Sequence, residues 1–262
     1  MDLQLAGKRV LVTGASKGIG LAVVQAFQDE GASVVAVSRR STPGLEKTGA
    51  EFFAADLSAP DGPQRMVEAV LAADPRLDVL VNNAGGGTMP EGALGDALDG
   101  DNDAWAEVFA LNLLAAVRTT RAALPALSRA RGAVVNVSSD SARRPIGVPL
   151  PYASAKAALN TFSRGLAEKY TEHGVRINVV TPSGTRTDLM ESPDGFVAQL
   201  AASMNLEHGT LLAALPGQSG MLTGVLIEPS EIARAVVLLS SPTMPSAIGS
   251  NWSVDAGALK VA

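Results

Sequence analysis

The sequence predicts an α/β protein in which seven parallel strands form one doubly wound sheet with helices on both faces. Three observations predict it. Apolar runs of strand length alternate with stretches of helical periodicity along most of the chain, as parallel strands joined by crossover helices require. Hydrophobic residues make up 47% of the chain and aromatics only 4%, so the core must be built from Ala, Val, Leu and Ile, which suit strands buried on both faces. Seven strands in this rhythm fill one sheet, and 262 residues fall within the range of one large α/β unit. A single domain over 1–262 is expected.

The expected strands lie at 9–12, 33–37, 51–54, 77–81, 133–137, 175–180 and 247–254. Helical patterns occupy 18–30, 63–73, 103–127, 152–173 and 230–240. In the first of these, Ile19, Val23, Val24 and Phe27 recur at helical spacing and mark the face turned to the core. Gly31 after Glu30, and Gly174 after His173, read as left-handed helix stops. Ser230 followed by Glu231 reads as a helix start. Two stretches break the rhythm: 85–101, rich in Gly and Asp, reads as a long loop, and 186–228 reads as an insertion carrying many apolar residues. Long excursions of this kind in compact α/β domains are usually functional.

Composition excludes several classes of function. With 21 basic and 26 acidic residues the net charge is −5, which argues against a general nucleic-acid binder. Cysteine is absent and there are only two histidines, His173 and His208, so thiolate chemistry, disulfides and His- or Cys-rich metal sites are excluded, and no metal is expected. No apolar run approaches a membrane span of roughly 18 residues, and Met1–Leu5 has no basic segment leading into an apolar one. A cytoplasmic protein with no membrane partner is expected.

Ligands of open parallel sheets bind at the carboxyl ends of the strands. The residues found there are informative. After the first strand comes Thr13-Gly14-Ala15-Ser16-Lys17-Gly18-Ile19-Gly20; after the second, Ser38-Arg39-Arg40; after the third, Asp56-Leu57. The fourth is followed by Asn83-Ala84-Gly85, the fifth by Ser138-Ser139, and the sixth by Pro182-Ser183-Gly184-Thr185. One cleft can use all six. A glycine-rich turn opening a helix lets the backbone approach a pyrophosphate and meet it with free N–H groups. A turn that binds nothing would also use glycines, but its position between strand and helix favours the functional reading. Tyr152 and Lys156 are four apart on an expected helix and share a face. An ammonium near a phenol stabilises the phenolate and lowers its pKa, which makes Tyr152 a candidate general acid/base. A Tyr and a Lys at that spacing can also arise by chance on an amphipathic helix. Asn112 sits between Leu111 and Leu113, where a buried amide needs partners.

Taken together, these residues resemble the short-chain dehydrogenase/reductase family in its short, single-domain branch, a Rossmann-type fold. The matching motifs are TGASKGIG at 13–20, NNAG at 82–85, Asn112, Ser139 and YASAK at 152–156, in order and over essentially the whole chain. The resemblance implies the roles of the site residues. Tyr152 would pass a proton to a carbonyl oxygen, Lys156 would lower its pKa and hold the nicotinamide ribose, Ser139 would orient the carbonyl, and Asn112 would anchor a water serving Lys156. Gly14, Ser16, Gly18, Ile19 and Gly20 would line the pyrophosphate. Asp56 and Leu57 would meet the adenine, Asn83, Ala84 and Gly85 the neighbouring ribose region, and Pro182, Thr185 and Thr187 the nicotinamide end or a phosphate. The resemblance also implies a homodimer or homotetramer.

The cofactor choice follows from charge. An acidic residue after the second strand would bind the ribose 2′-hydroxyl of NAD and repel a 2′-phosphate. Here Arg39 and Arg40 stand in its place, with Lys17 nearby in the glycine turn, so NADP(H) is expected over NAD(H). In the insertion, Met190, Phe196, Leu200, Met204, Leu206, Leu211, Leu212, Leu215, Met221 and Leu222 predict an apolar lid over a small carbonyl or alcohol substrate, or a helix pair packed on the core. Arg143 and Arg144 could draw in an anionic substrate tail, and His208 could touch substrate. One departure from the family pattern stands out: Pro182-Ser183-Gly184 has a serine where the family usually has glycine. The expected activity is reduction of a ketone or aldehyde, or its reverse. The alternatives are a catalytically idle NADP-binding regulator and an epimerase or dehydratase of the longer sugar-nucleotide branch. The spacing of the glycines and the length of the chain count against the second.

Overall fold

The structure is a computed structural model that describes residues 1–86, 100–145 and 147–260. Most of the Gly/Asp-rich stretch expected as a loop at 85–101 lies outside the described residues. The first half runs β1 (Arg9–Thr13), α1 (Gly18–Asp29), β2 (Ser33–Ser38), α2 (Pro43–Glu46), β3 (Glu51–Ala54), α3 (Gly62–Ala73) and β4 (Val79–Asn82). Then come α4 (Asn102–Phe109), a π-helical turn (Ala110–Leu114), α5 (Ala115–Ala130), β5 (Ala133–Val137), a 3-10 turn (Asp140–Ala142) and α6 (Leu150–Tyr170). A second 3-10 turn (Thr171–His173) leads to β6 (Arg176–Pro182), α7 (Asp188–Glu191), α8 (Phe196–Ser203), α9 (His208–Gln218), α10 (Pro229–Ser240) and β7 (Asn251–Val254).

The sheet has the order β3-β2-β1-β4-β5-β6-β7 with every neighbouring pair parallel. Strand side chains alternate between the two faces. Val10, Val12, Ala36, Val81 and Val135 pack on one side with Val23, Val24 and Phe27 of α1 and Ile232, Val236 and Leu239 of α10. Leu11, Val35, Leu80, Val134 and Ile177 pack on the other with Met66, Val67 and Val70 of α3 and Leu127 of α5. Both faces are covered, which is why the inner strands read as continuous apolar runs. The order reverses between β1 and β4, and this switch opens a crevice beyond their carboxyl ends.

Polar side chains inside the sheet register its centre. Asn82 and Asn136 are cross-strand partners, and Asn82 donates to Asn136 Oδ1 at 2.8 Å and to Thr120 Oγ1 of α5 at 2.9 Å. Asn136 donates to Ser163 Oγ of α6 at 2.8 Å. This chain ties α5, β4, β5 and α6 together beneath the crevice and fixes the helix that carries Tyr152 and Lys156.

Some expected boundaries move. β7 begins at Asn251 rather than 247, because Gly249 is left-handed (φ +64°) and Asn178 takes Ala247 O and Ser250 N out of the ladder. The expected helix 103–127 is interrupted by the π-helical turn around Asn112. α10 starts at Pro229, with the Glu231 carboxylate accepting from Glu228 N–H at 3.1 Å, so Ser230 is inside the helix and not its cap. Gly31 and Gly174 are left-handed as expected. Among the described residues no helix is long and apolar enough to cross a membrane.

Candidate active site

The crevice is a cleft of about 1360 Å³. Gly14, Ser16, Lys17, Gly18 and Ile19 line it after β1, Arg39 and Arg40 after β2, Asp56 and Leu57 after β3, and Asn83, Ala84 and Gly85 after β4. Ser139, Tyr152, Lys156, Pro182, Thr185 and Thr187 line its other half. Two expected residues, Gly20 and Asn112, do not line it.

Gly20 supports the turn from behind. A Cβ there would lie 2.1 Å from the Gly14 carbonyl oxygen and 2.6 Å from Asn83 Nδ2. Close packing of α1 on the turn therefore requires glycine here. Gly14 has φ +66° and approaches Ala84 so closely that a Cβ would be 2.8 Å from Ala84 Cα. Thr13, which the motif reading passed over as a site residue, joins the two loops: its hydroxyl accepts from Asn83 N–H and Ala84 N–H, each at 3.0 Å. Asn83 Nδ2 returns bonds to Thr13 O at 3.0 Å and Gly14 O at 3.1 Å. A buried hydroxyl at a strand end beside a glycine turn was the available signal.

α1 begins without a side-chain cap and has no acidic residue in its first turn. Its first N–H groups and positive dipole end are free to meet an anion. Lys17, at the N-cap, instead pairs with Asp188 of α7 at 3.4 Å. Asp56 accepts from the Ser58 hydroxyl at 2.6 Å and the Ser58 N–H at 3.0 Å, which hold its carboxyl below the usual range.

Asn112 is 2% exposed. Its amide accepts from Gly86 N–H at 2.8 Å and donates to Gly86 O at 3.1 Å and Val108 O at 3.0 Å. These three bonds hold Gly86 against the helix and leave one lone pair of Oδ1 unused. Gly85 runs past its amide oxygen and the Lys156 ammonium; a Cβ there would lie 3.0 Å from each. Irregular helical turns of this kind often occur at functional sites.

Lys156 is 3% exposed, and its ammonium donates to Val137 O at 2.9 Å. The ammonium stands 5.8 Å from the centre of the Tyr152 ring. Burial lowers the lysine pKa to about 8. The Tyr152 phenol is raised, by burial first; its bond with the Ser139 hydroxyl acts the other way, and the Asp140 carboxylate adds to the rise. This direction runs against the expected lowering of the phenol by Lys156: burial dominates, and the ammonium is directed to a backbone carbonyl.

The lysine shift has a consequence for stability. Between about 8 and its ordinary pKa of about 10.4, Lys156 binds a proton more readily in the unfolded chain than in the folded one. Its contribution to folding stability therefore rises with pH across that window, as the folded chain sheds a buried charge. We expect the urea midpoint of the wild type, relative to Lys156→Met, to increase from about pH 7.5 to about pH 10. A pH-independent difference would contradict it.

The remaining candidates divide. Met190, Phe196, Leu200, Met204, Leu211 and Leu215 of the α7–α9 segment line the cleft, whereas Leu206 and Leu222 are exposed, Leu212 packs within the segment and Met221 joins the core. His208 Nε2 lies 3.1 Å from Met190 O and ties α9 to α7 instead of lining the cleft. Arg144 lines the cleft with its guanidinium donating to Ser219 O, while Arg143 faces a separate cavity beside Asn160 and Arg164. Asp140, not singled out from the sequence, lines the cleft next to Ser139.

A glycine turn, a reversal of strand order and a Ser-Tyr-Lys set converging on one crevice define an oxidoreductase of the dinucleotide-binding α/β class. The chain belongs to the short-chain dehydrogenase/reductase family: residues 8–194 match the family's short chain dehydrogenase profile. It is 32% identical over 250 residues to L-fucose dehydrogenase of Bos taurus, covering 92% of this chain and 86% of the relative. Among solved structures it resembles L-sorbose reductase from Gluconobacter frateurii complexed with NADPH and L-sorbose, at 29% identity, TM-score 0.87 and full coverage of both chains. It also resembles the ligand-free aldohexose dehydrogenase of Thermoplasma acidophilum, at 25% identity, TM-score 0.85, and 100% and 99% coverage.

Proposed function

We propose that the protein is an NADP(H)-dependent reductase of ketones or aldehydes, or the corresponding alcohol dehydrogenase. The observation that carries this reading is that Ser139, Tyr152 and Lys156 open onto the same cleft as the glycine turn. The residues present fit a dinucleotide: the uncapped start of α1 suits a pyrophosphate, and Gly14 leaves room for a close approach. When bound, the reduced nicotinamide supplies the hydride that no side chain can. Tyr152 gives its proton to the carbonyl oxygen, Ser139 turns its hydroxyl from Asp140 Oδ1 to donate a hydrogen bond to that oxygen, and Lys156, held by Val137 O, sets the charge around the phenol and would hold a ribose hydroxyl of the cofactor. Asn112 and Thr13 keep the loop after β4 in place. Burial keeps the phenol protonated through the neutral range, as a proton donor requires. The sugar-oxidising and sugar-reducing relatives support a small polar carbonyl or alcohol as substrate. The α7–α9 segment acts as the substrate-covering lid.

Arg39 and Arg40 on the cleft wall, with no carboxylate at the end of β2, support NADP(H). Lys17 contributes less than its sequence position implies, because Asp188 already pairs with it. The test is a ketone panel with NADPH and with NADH, following absorbance of the reduced nicotinamide. Arg39→Ala should raise KM for NADPH about 10- to 100-fold, the loss of one charge-assisted hydrogen bond, with little change for NADH. Equal effects on both cofactors would overturn the assignment, and dinucleotide binding with no turnover would favour an idle regulator. We also propose a homodimer or homotetramer. The Ala-rich helices α5 and α6 suit packing across a two-fold axis.

A further inference from the structure

We infer that Asp140 determines specificity by accepting a hydrogen bond from a hydroxyl on the carbon next to the reacting carbonyl. The substrates of this site are then α-hydroxy ketones or aldehydes with an apolar remainder, and keto acids are excluded. The inference deepens the carbonyl-reductase reading above and rests on it.

The backbone puts Asp140 there. Ser139 is extended (φ −160°) at the end of β5, and the chain then turns tightly through Asp140–Ala142. Asp140, first in that turn, sits on the cleft wall with Ser139, Tyr152 and Ser183. Its Oδ1 accepts from Ser139 Oγ at 3.3 Å and its Oδ2 from Ser183 Oγ at 2.6 Å. The Ser141 N–H and hydroxyl both donate to Ser139 Oγ, at 3.2 and 2.8 Å. No Lys, Arg or His among the described residues lies within ion-pair distance of it. The cleft's nearby guanidinium, on Arg144, is spent on Ser219 O. The other charge acting on Asp140 is a carboxylate, Asp255.

A carboxylate has about four acceptor positions and no donor when ionised. The Ser139 and Ser183 hydroxyls leave at least one lone pair for the cleft. A partly buried anion with no cation nearby is costly unless further donors reach it, and burial indeed pushes its carboxyl up. A substrate hydroxyl satisfies that need, while a carboxylate in the same place would be repelled. Ser183 holds the arrangement and departs from the usual family pattern. The residue the family usually carries there, glycine, has no hydroxyl to hold Asp140 Oδ2. The wall contributed by the α7–α9 segment is apolar, with Leu189, Met190, Phe196, Leu200, Leu211 and Leu215, so the rest of the substrate need not be polar.

The test uses 2-hexanone, 1-hydroxy-2-hexanone and 2-oxohexanoate with NADPH. They share one alkyl ketone and differ only in the group beside the carbonyl. Wild type should favour the hydroxy ketone, with the keto acid poorest. Asp140→Ala should cut the ratio of kcat/KM for 1-hydroxy-2-hexanone over that for 2-hexanone at least about tenfold, mainly through KM for the hydroxy ketone, the effect of removing a charged hydrogen-bond partner. Asp140→Asn, which keeps the shape, should raise kcat/KM for 2-oxohexanoate at least about tenfold by removing the repulsion. A uniform drop on all three ketones in both variants, or an unchanged ratio, would overturn the inference and leave the reductase reading standing. Failure of the wild type to reduce any of the three would overturn both.

Discussion

Tyr152→Phe is expected to lower kcat for carbonyl reduction about 10³-fold while leaving the Kd for NADPH within about threefold. The ring stays, so packing in α6 is preserved; only the hydroxyl is lost. That hydroxyl is the titratable proton donor beside Ser139, and burial raises its pKa so that it is protonated where the reductase would work. Lys156 cannot replace it, because its ammonium is directed to Val137 O and Gly85 passes beside it. Steady-state rates with a reducible ketone and a fluorescence titration of NADPH separate the two quantities. A kcat within about tenfold of wild type would mean that the proton comes from elsewhere. A proportionate loss of NADPH binding would mean that the hydroxyl serves the cofactor.

Gly20→Ala should both destabilise the fold and impair dinucleotide binding. The added methyl would sit 2.1 Å from Gly14 O and 2.8 Å from Gly14 C, and backbone there cannot step aside without moving the turn itself. Overpacking of this kind costs about 1–3 kcal/mol, and here the upper end applies because the obstacle is backbone. For a chain of this size that corresponds to a fall in Tm of about 5–10 °C. KM for NADPH should rise because Gly14 is displaced from its approach to Ala84 and Asn83. Gly217→Ala is the control: Gly217 lies in α9 with nothing within 4 Å of its Cβ position, so the change should be neutral or mildly stabilising. Unchanged thermal unfolding of Gly20→Ala would show that the turn rearranges without strain.

Much of this site was legible because its signals are local. Gly14, Gly18, Tyr152 and Lys156 each belong to a short motif whose spacing already places it at a strand end or on a helix face. Thr13 and Asp140 were not singled out because their importance lies in partners far along the chain: the N–H groups of Asn83 and Ala84 for one, the Ser183 hydroxyl for the other. Ser183 was legible as a departure from the family pattern, but not as the partner of Asp140. Gly20 and Asn112 match the motif but stand behind the cleft wall, since a motif records that a residue matters without recording which way it faces.

By itself the sequence determined the seven-strand parallel architecture, the end of the sheet where chemistry collects, and the catalytic candidates. Periodicity, glycine placement and i, i+4 spacing are properties of neighbouring residues and survive without coordinates. Only the tertiary structure decided the protonation tendencies of Tyr152 and Lys156, the pairing of Lys17 with Asp188, and the presence of an uncompensated carboxylate beside Ser139. Those depend on desolvation and on distances between residues remote in the chain, and both quantities come into existence only when the sheet and its helices close around the cleft.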